Sequence, residues 1–413
     1  MRCVLGFNSN NRVGEIMRVG ISLESGQWGG VDIHLNNLIR YWSNLDELIL
    51  FSNNDNPGLQ RIFELTSNHP NIRLVTYRSL PRLGTLCRVV VELFFLPMFF
   101  WFSDLRFRYL IKKFGPFDGF ISDNGGYPGS WVTLAASRAA YKSKIDKRLL
   151  LIHHDARERS IFRQTYEHLV DHRIPKWCPR IVAVSAATRN SLITTRDIDL
   201  NRCSITVVRN SVDDSYDTNS LPEVSTRTLC GISDRDILIG TLGRLDAYKG
   251  HDELVVALSQ LPRKFKDRTH LCIVGGFDTK RIKKIVEVAI KFGVSDKIHF
   301  LGYVDSHPRK IIETFDILVS ATQSFEAFGL TIAEAISVGV PVLATDVGGV
   351  SEFFGESDGV LVPPGDIDSI TSGLLVLIDK IEEKIKRDKN QFLFDRRFDP
   401  MEMSKKIYRE LIR

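Results

Sequence analysis

Cysteine is scarce and dispersed in this chain. The six thiols, Cys3, Cys87, Cys178, Cys203, Cys230 and Cys272, form no Cys-x-x-Cys pair and no Cys/His cluster. That argues against a zinc site and a disulfide scaffold and fits a reduced, cytoplasmic setting. Long apolar runs are missing too. The most apolar stretch, residues 89–102, is interrupted by Glu92 and Pro97 and falls short of the roughly 20 residues that span a bilayer. The N-terminal MRCVLGFNSNNRVGEIM has no long apolar core of the kind a secretory signal carries. Nor does charge of one sign dominate. A formal net charge of +5 suits anionic small molecules or lipid surfaces, and no nucleic-acid partner is expected from it.

What the chain does have is length and alternation. Its 413 residues suffice for two domains of ordinary size. Apolar content of 43% with 25% charged residues is that of a soluble globular protein.

The most informative stretch is 324–352, SFEAFGLTIAEAISVGVPVLATDVGGVSE. Residues 317–320 ahead of it are short, apolar and β-branched and predict a buried strand. A polar turn leads into a helix near Gly329 with Ile332, Ala335 and Ile336 on its apolar face and Gly339 as its stop. Val342-Leu343-Ala344 behind Pro341 predicts the next strand, so the unit is one of a parallel sheet. Glu326 lies in the loop and Glu334 about one turn into the helix. Between them the backbone N–H groups of Phe328, Gly329 and Leu330 are left unpaired by the helix start. Those groups and the helix dipole attract phosphate or sugar oxygens, whereas the carboxylates suit hydroxyl donors such as ribose or hexose. The combination points to a sugar nucleotide.

The rest of the chain repeats the same alternation. Residues 19–23 predict the first strand, followed by a loop with Gly29 and Gly30 that permits a tight turn and close ligand approach. Residues 89–102 read either as a buried helix pair or as a peripheral membrane contact, with Arg106, Arg108, Lys112 and Lys113 meeting anionic headgroups. Residues 148–152 predict a buried strand that ends in His153-His154-Asp155. Residues 221–233 form a polar linker with Pro222 and Gly231, and the next strand leads into Gly243-Arg244-Leu245-Asp246-Ala247-Tyr248-Lys249-Gly250. An Arg and a Lys five apart in such a loop can grip a diphosphate from two directions, one as a planar fork and one as a point charge. The two Asp-x-Asp strings, at Asp197 and Asp366, follow or start helices and are explained by capping and surface charge.

Glu326-x7-Glu334 with Phe-Gly-Leu and Gly-Val-Pro-Val around its helix, joined to Gly-Arg-Leu-x3-Lys-Gly at 243–250, resembles glycosyltransferase family 4, the glycosyl transferases group 1. The resemblance implies an α/β fold of two Rossmann-like domains (GT-B) facing each other across a cleft. Residues 1–210 would form the acceptor-side domain, 211–398 the nucleotide-sugar domain, and 399–413 a helix crossing back to the first. Arg209-Asn210-Ser211-Val212-Asp213 stands where the family commonly has Pro-Asn-Gly-Val-Asp, so Arg and Ser replace Pro and Gly at the crossing. The resemblance also implies site residues. His154, with His153 as the alternative, would point towards the reacting sugar. Gly29 and Gly30 would approach the donor phosphates and the acceptor. Gly275, Tyr303 and Val304 would flank the base and ribose through their backbones.

The expected reaction is transfer of a glycosyl unit from a nucleoside diphosphate sugar to a hydroxyl, with retention at the anomeric carbon. Arg244, Lys249 and the N–H groups of Phe328, Gly329 and Leu330 would stabilise the departing diphosphate, usually the largest electrostatic contribution. Glu334 would accept the ribose hydroxyls and Glu326 would orient the donor sugar. No metal or other cofactor is expected, because Arg244 and Lys249 supply the positive charge. The acceptor would be a glycan or lipid-linked glycan, shaped by residues near Trp28, 94–102 and Tyr127, with the protein cytoplasmic or peripheral on the membrane's cytoplasmic face. The rivals are a sugar-nucleotide epimerase or phosphorylase on the same plan, and an inactive sugar-nucleotide-binding paralogue.

Overall fold

The computed structural model describes residues 16–26, 29–59, 69–79, 95–212, 225–276, 278–304, 307–383 and 395–413. Its frame is two parallel sheets. The first contains β1 (Arg18–Leu23), β2 (Glu47–Asn53), β3 (Ile72–Tyr77), β4 (Gly119–Asn124), β5 (Lys147–Ile152), β6 (Arg180–Ala183) and β7 (Ser204–Val207), in the spatial order β3-β2-β1-β4-β5-β6-β7. The second contains β8 (Ile237–Gly243), β9 (Thr269–Gly275), β10 (Ile298–Gly302), β11 (Ile317–Ser320), β12 (Val342–Thr345) and β13 (Gly359–Val362), in the order β10-β9-β8-β11-β12-β13. Strands such as β5 are apolar along their buried length because helices cover both faces of a parallel sheet. In each sheet the order reverses once, between β1 and β4 and between β8 and β11. Such a reversal opens a crevice at the strands' carboxyl ends, where α/β sheets bind ligands.

The covering helices include α1 (Gly30–Arg40), α2 (Leu96–Phe114), α3 (Trp131–Lys142), α4 (Gln164–Trp177), α5 (Ala186–Arg196), α6 (His251–Gln260), α7 (Thr279–Lys291), α8 (Leu330–Ser337), α9 (Ile367–Glu383) and α10 (Pro400–Ile412). Ser130, Ser185, Asp278 and Asp399 accept first-turn N–H groups and so start α3, α5, α7 and α10. The last helix returns to the first sheet. Its Met403, Ile407 and Leu411 join the core of Val19, Ile21 and Leu149, and Ser404 Oγ donates to the Leu38 carbonyl at 3.0 Å.

Three expectations need correction. The 221–233 stretch is not plain linker. Residues 213–224 lie outside the described ones, but Thr226–Cys230 is a short helix, held down because Arg227 pairs with Asp316 at the foot of β11. The apolar stretch is not simply buried either. Residues 89–94 lie outside the described ones, and α2 buries Leu96, Phe100, Phe107 and Leu110 while Phe95, Met98, Phe102, Leu105 and Tyr109 are exposed at spacings of three or four. Tyr127 does not reach an acceptor surface, since it is buried and its hydroxyl donates to Asp171 at 2.8 Å. Trp28 lies outside the described residues. The Asp-x-Asp strings do local work, with Asp197 ending α5 in the left-handed conformation and Asp366 accepting from the Ser369 N–H at 3.0 Å. Among the described residues no helix is long and apolar enough to cross a membrane.

Candidate active site

The reversal between β8 and β11 gathers the charged residues of the second domain. Gly243 ends β8 with φ +149°, beside Gly275 at the end of β9 with φ +144°, and a side chain on Gly275 would overlap the Gly243 carbonyl. The chain then makes the turn Ala247–Lys249 and enters α6 through Gly250, at φ +72°. A Cβ on Gly250 would collide with the Ala321 carbonyl, so only glycine lets this loop rest on the one after β11. The Gln323 N–H donates to the Tyr248 carbonyl at 2.7 Å and ties the two loops together.

That contact brings Lys249 to Glu326. Nζ and Oε2 are 2.6 Å apart, with 25% and 19% of the side chains exposed. Arg244 is more open, donating to the Tyr248 hydroxyl at 2.8 Å and pairing with Asp246 at 3.0 Å. Arg244 and Lys249 line one small cavity with Thr241, Gly243, Ser320 and Thr331. His251, on the same cavity, is buried, and burial with the positive Arg281 lowers it to about 4, so it is neutral near pH 7.

The loop after Glu326 is anchored from below. Phe328 is buried against Phe353 with ring centroids 4.9 Å apart. Gly329 opens α8 at φ +84°, which leaves first-turn N–H groups towards the cavity end of the sheet. Glu334 lies buried in the second turn of that helix. The carbonyl of Glu326 accepts the Gly349 N–H at 2.8 Å, and a side chain on Gly348 would overlap that same carbonyl.

The first domain supplies the opposite wall. A Cβ on Gly30 would stand 2.9 Å from Leu330 Cδ1, so the glycine loop after β1 abuts the start of α8. His154, after β5, is half exposed, and its ring lies 5.4 Å from that of Phe325, the neighbour of Glu326. Its Nδ1 pairs with Asp155, and that hydrogen bond holds the Asp155 carboxyl below the usual range. His153 points away. It is buried, with Nε2 2.6 Å from Asp123 Oδ1 and its ring 4.4 Å from that of His34. Both follow the end of β5 at Ile152, and His153, whose N–H still donates to the Asn124 carbonyl at 3.2 Å, stays beside β4.

Arg244, Lys249, Glu326, Leu330, Gly30 and His154 are therefore brought around one cleft. Gly29 caps α1. Tyr303 and Val304 are set apart, following the outer strand β10 with Tyr303 66% exposed, and neither lines the cavity. Sequence reasoning missed His34, whose Nδ1 is 2.8 Å from Asn210 Oδ1 in the segment crossing between domains. Its place on an apolar helix face gave no sign of that partner. Glu352, in the turn Val350–Glu352, was missed because nothing local marks the distant backbone N–H groups that it meets. Among the described residues no three His, Cys, Asp or Glu side chains form a group that could hold a metal.

Residues 230–391 match the family model described as glycosyl transferases group 1. The chain is 28% identical over 238 residues to a D-inositol 3-phosphate glycosyltransferase of Gordonia bronchialis, covering 54% of this chain and 51% of that protein. It is also 28% identical over 181 residues to the lipopolysaccharide core biosynthesis mannosyltransferase LpsB of Rhizobium meliloti, covering 42% and 50%. The chain thus spans about half the length of these curated relatives. Among solved structures, a glycosyltransferase from Rickettsia africae is similar with TM-score 0.70 at 20% identity, covering 97% of this chain and 100% of that one. Anabaena Alr3699/HepE in complex with UDP gives 0.69 at 18%, covering 96% and 100%. At those identities the likeness establishes the fold.

Proposed function

From a glycosyl transferases group 1 domain at residues 230–391 in a two-sheet GT-B frame, we propose that this protein is a retaining glycosyltransferase. It moves a sugar from a nucleoside diphosphate sugar to a hydroxyl of a glycan or lipid-linked glycan. The observation that carries the reading is the meeting of Arg244, Lys249 and Glu326 at the sheet reversal, opposite His154. Basic groups at that point suit a pyrophosphate, and acids beside them suit carbohydrate hydroxyls. The UDP complex of the Anabaena protein supports a nucleotide donor, and the name of the Rhizobium relative supports a surface glycan as product.

In this mechanism negative charge grows on the diphosphate as the anomeric bond breaks. Arg244, Lys249 and the first-turn N–H groups of α8 stabilise it without reorganising, and no metal is needed for that charge. Glu326, held by Lys249, orients the donor sugar, and Glu334 receives the ribose hydroxyls. The leaving phosphate takes the acceptor's proton as the acceptor attacks from the same face, with His154 beside the sugar. Closure of the first domain over the second excludes water. We take residues 1–210 as the acceptor-side domain, 211–398 as the donor domain and 399–413 as the returning helix. The exposed face of α2 belongs to the same reading. Phe95, Met98, Trp101, Phe102, Leu105 and Tyr109 with Lys112 and Lys113 at its end suit the interface of an anionic bilayer that presents a lipid-linked acceptor.

The test is direct. The purified protein is incubated with nucleoside diphosphate sugars and candidate acceptors, and acceptor-dependent release of nucleoside diphosphate is measured. Proton NMR of the product reads its anomeric configuration. Transfer with inversion would overturn the retaining mechanism, and no acceptor-dependent release across the donor panel would overturn the transferase reading.

A further inference from the structure

The start of α5 in the first domain is completed by the second. Ser185 accepts the Thr188 N–H at 3.1 Å, and the Ser185 carbonyl accepts the Arg189 N–H at 3.0 Å. The two remaining first-turn donors go across the domain boundary. The Ala186 N–H donates to Glu352 Oε2 at 2.9 Å and the Ala187 N–H to Glu352 Oε1 at 2.8 Å. A carboxylate accepting two N–H groups at a helix's positive end is a strong, directional contact.

Glu352 is itself firmly placed. Val350 and Phe353 on either side are buried in the second domain's core, and Val184 of the first domain packs into the same cluster. The turn before it comes close to both domains. A Cβ on Gly349 would stand 2.6 Å from Ser185 Cβ, and the Gly349 N–H holds the Glu326 carbonyl at 2.8 Å. One short segment thus touches the first domain with its carboxylate and the Glu326 loop with its backbone.

We propose that Glu352 is a positioning residue that sets the first domain, and with it His154, in register with the Glu326 loop. The proposal rests on the transferase reading for its kinetic consequence and on the hydrogen bonds alone for its structural one. The charged groups assigned to the nucleotide, Arg244, Lys249 and Glu334, lie in the second domain, so loss of Glu352 disturbs the alignment of donor and acceptor and leaves nucleotide binding intact. Misplacement of this kind lowers turnover.

The test compares Glu352→Ala and Glu352→Gln with the wild-type chain. Glu352→Ala is expected to lower kcat by roughly tenfold with donor KM and nucleoside diphosphate affinity unchanged. Glu352→Gln, which keeps one accepting oxygen, is expected to lie between the two. Hydrogen exchange provides a readout independent of activity, in which Ala186 and Ala187 lose protection in Glu352→Ala while Thr188, bound within its own domain, keeps it. Wild-type kcat in Glu352→Ala, or unchanged protection of Ala186 and Ala187, would overturn the proposal. So would nucleotide affinity that falls in step with kcat, which would make Glu352 part of the donor site. If the wild-type chain transfers no sugar, the transferase reading fails, while the exchange result still decides whether the clasp exists.

Discussion

Replacing Lys249 tests the electrostatic core of the mechanism. Its ammonium is 2.6 Å from Glu326 Oε2 and three-quarters buried. A diphosphate entering the cavity that Lys249 and Arg244 line brings negative charge within reach of the same ammonium. A unit charge about 4 Å from a phosphate oxygen interacts by about 4 kcal/mol at an effective dielectric of 20. Part of that is present in the bound donor, and the part that grows with the leaving charge lowers the barrier. Removal of one such preorganised group lowers kcat by roughly 10²–10³. Lys249→Met is therefore expected to show that loss, and Lys249→Arg to lose less. The stability cost is small, since a partly exposed pair contributes about 1 kcal/mol or less, so the thermal midpoint identifies a variant that failed through folding. The assay is acceptor-dependent release of nucleoside diphosphate at saturating donor. A Lys249→Met enzyme that turns over at the wild-type rate would refute the reasoning.

The other predictions follow from single contacts. Gly348→Ala puts a side chain at φ +61° and against the Glu326 carbonyl, so urea unfolding should show a loss of about 2 kcal/mol or more; an unchanged midpoint would mean the turn is not rigid. Asp32 is buried, and burial, reinforced by Asp123 and opposed by the Gly29 N–H, raises its carboxyl from 3.8 to about 6. The folded chain then binds the extra proton, so stability is present below pH 3.8 and falls as pH rises to about 6. Asp32→Asn should stabilise the fold at pH 7–8 by at most about 3 kcal/mol, with the gain gone near pH 4, as read from denaturant midpoints across pH. Trp101→Ser with Phe102→Ser should reduce co-sedimentation with anionic vesicles and leave transfer to a soluble acceptor unchanged; equal binding would remove α2 from the membrane face.

Much of the second domain could be read from residue order because its signals are local. A short apolar strand, a glycine that permits a left-handed start and a helix with its stop at Gly339 follow one another within 317–339 and fold as one unit. Gly250 and Gly275 likewise mark close approaches that no other residue could make. The choice between His153 and His154 was harder, because the same side chain stands at both places. Only the path of the chain after β5 decided which ring meets Phe325 and which meets Asp123.

By itself, then, the sequence determined the alternating α/β plan, the loops after β8 and β11, and the acids and bases that those loops present. These depend on neighbours along the chain, through periodicity, turn chemistry and helix termini. The tertiary structure decided what depends on distant partners. It buried Tyr127 by giving its hydroxyl Asp171, folded Thr226–Cys230 through an ion pair with Asp316, and left one face of α2 apolar and uncovered. It also brought Glu352 to the amides of Ala186 and Ala187, more than 160 positions away. A carboxylate carries no mark of the backbone N–H groups it will meet, and only the packing of the two sheets supplies them.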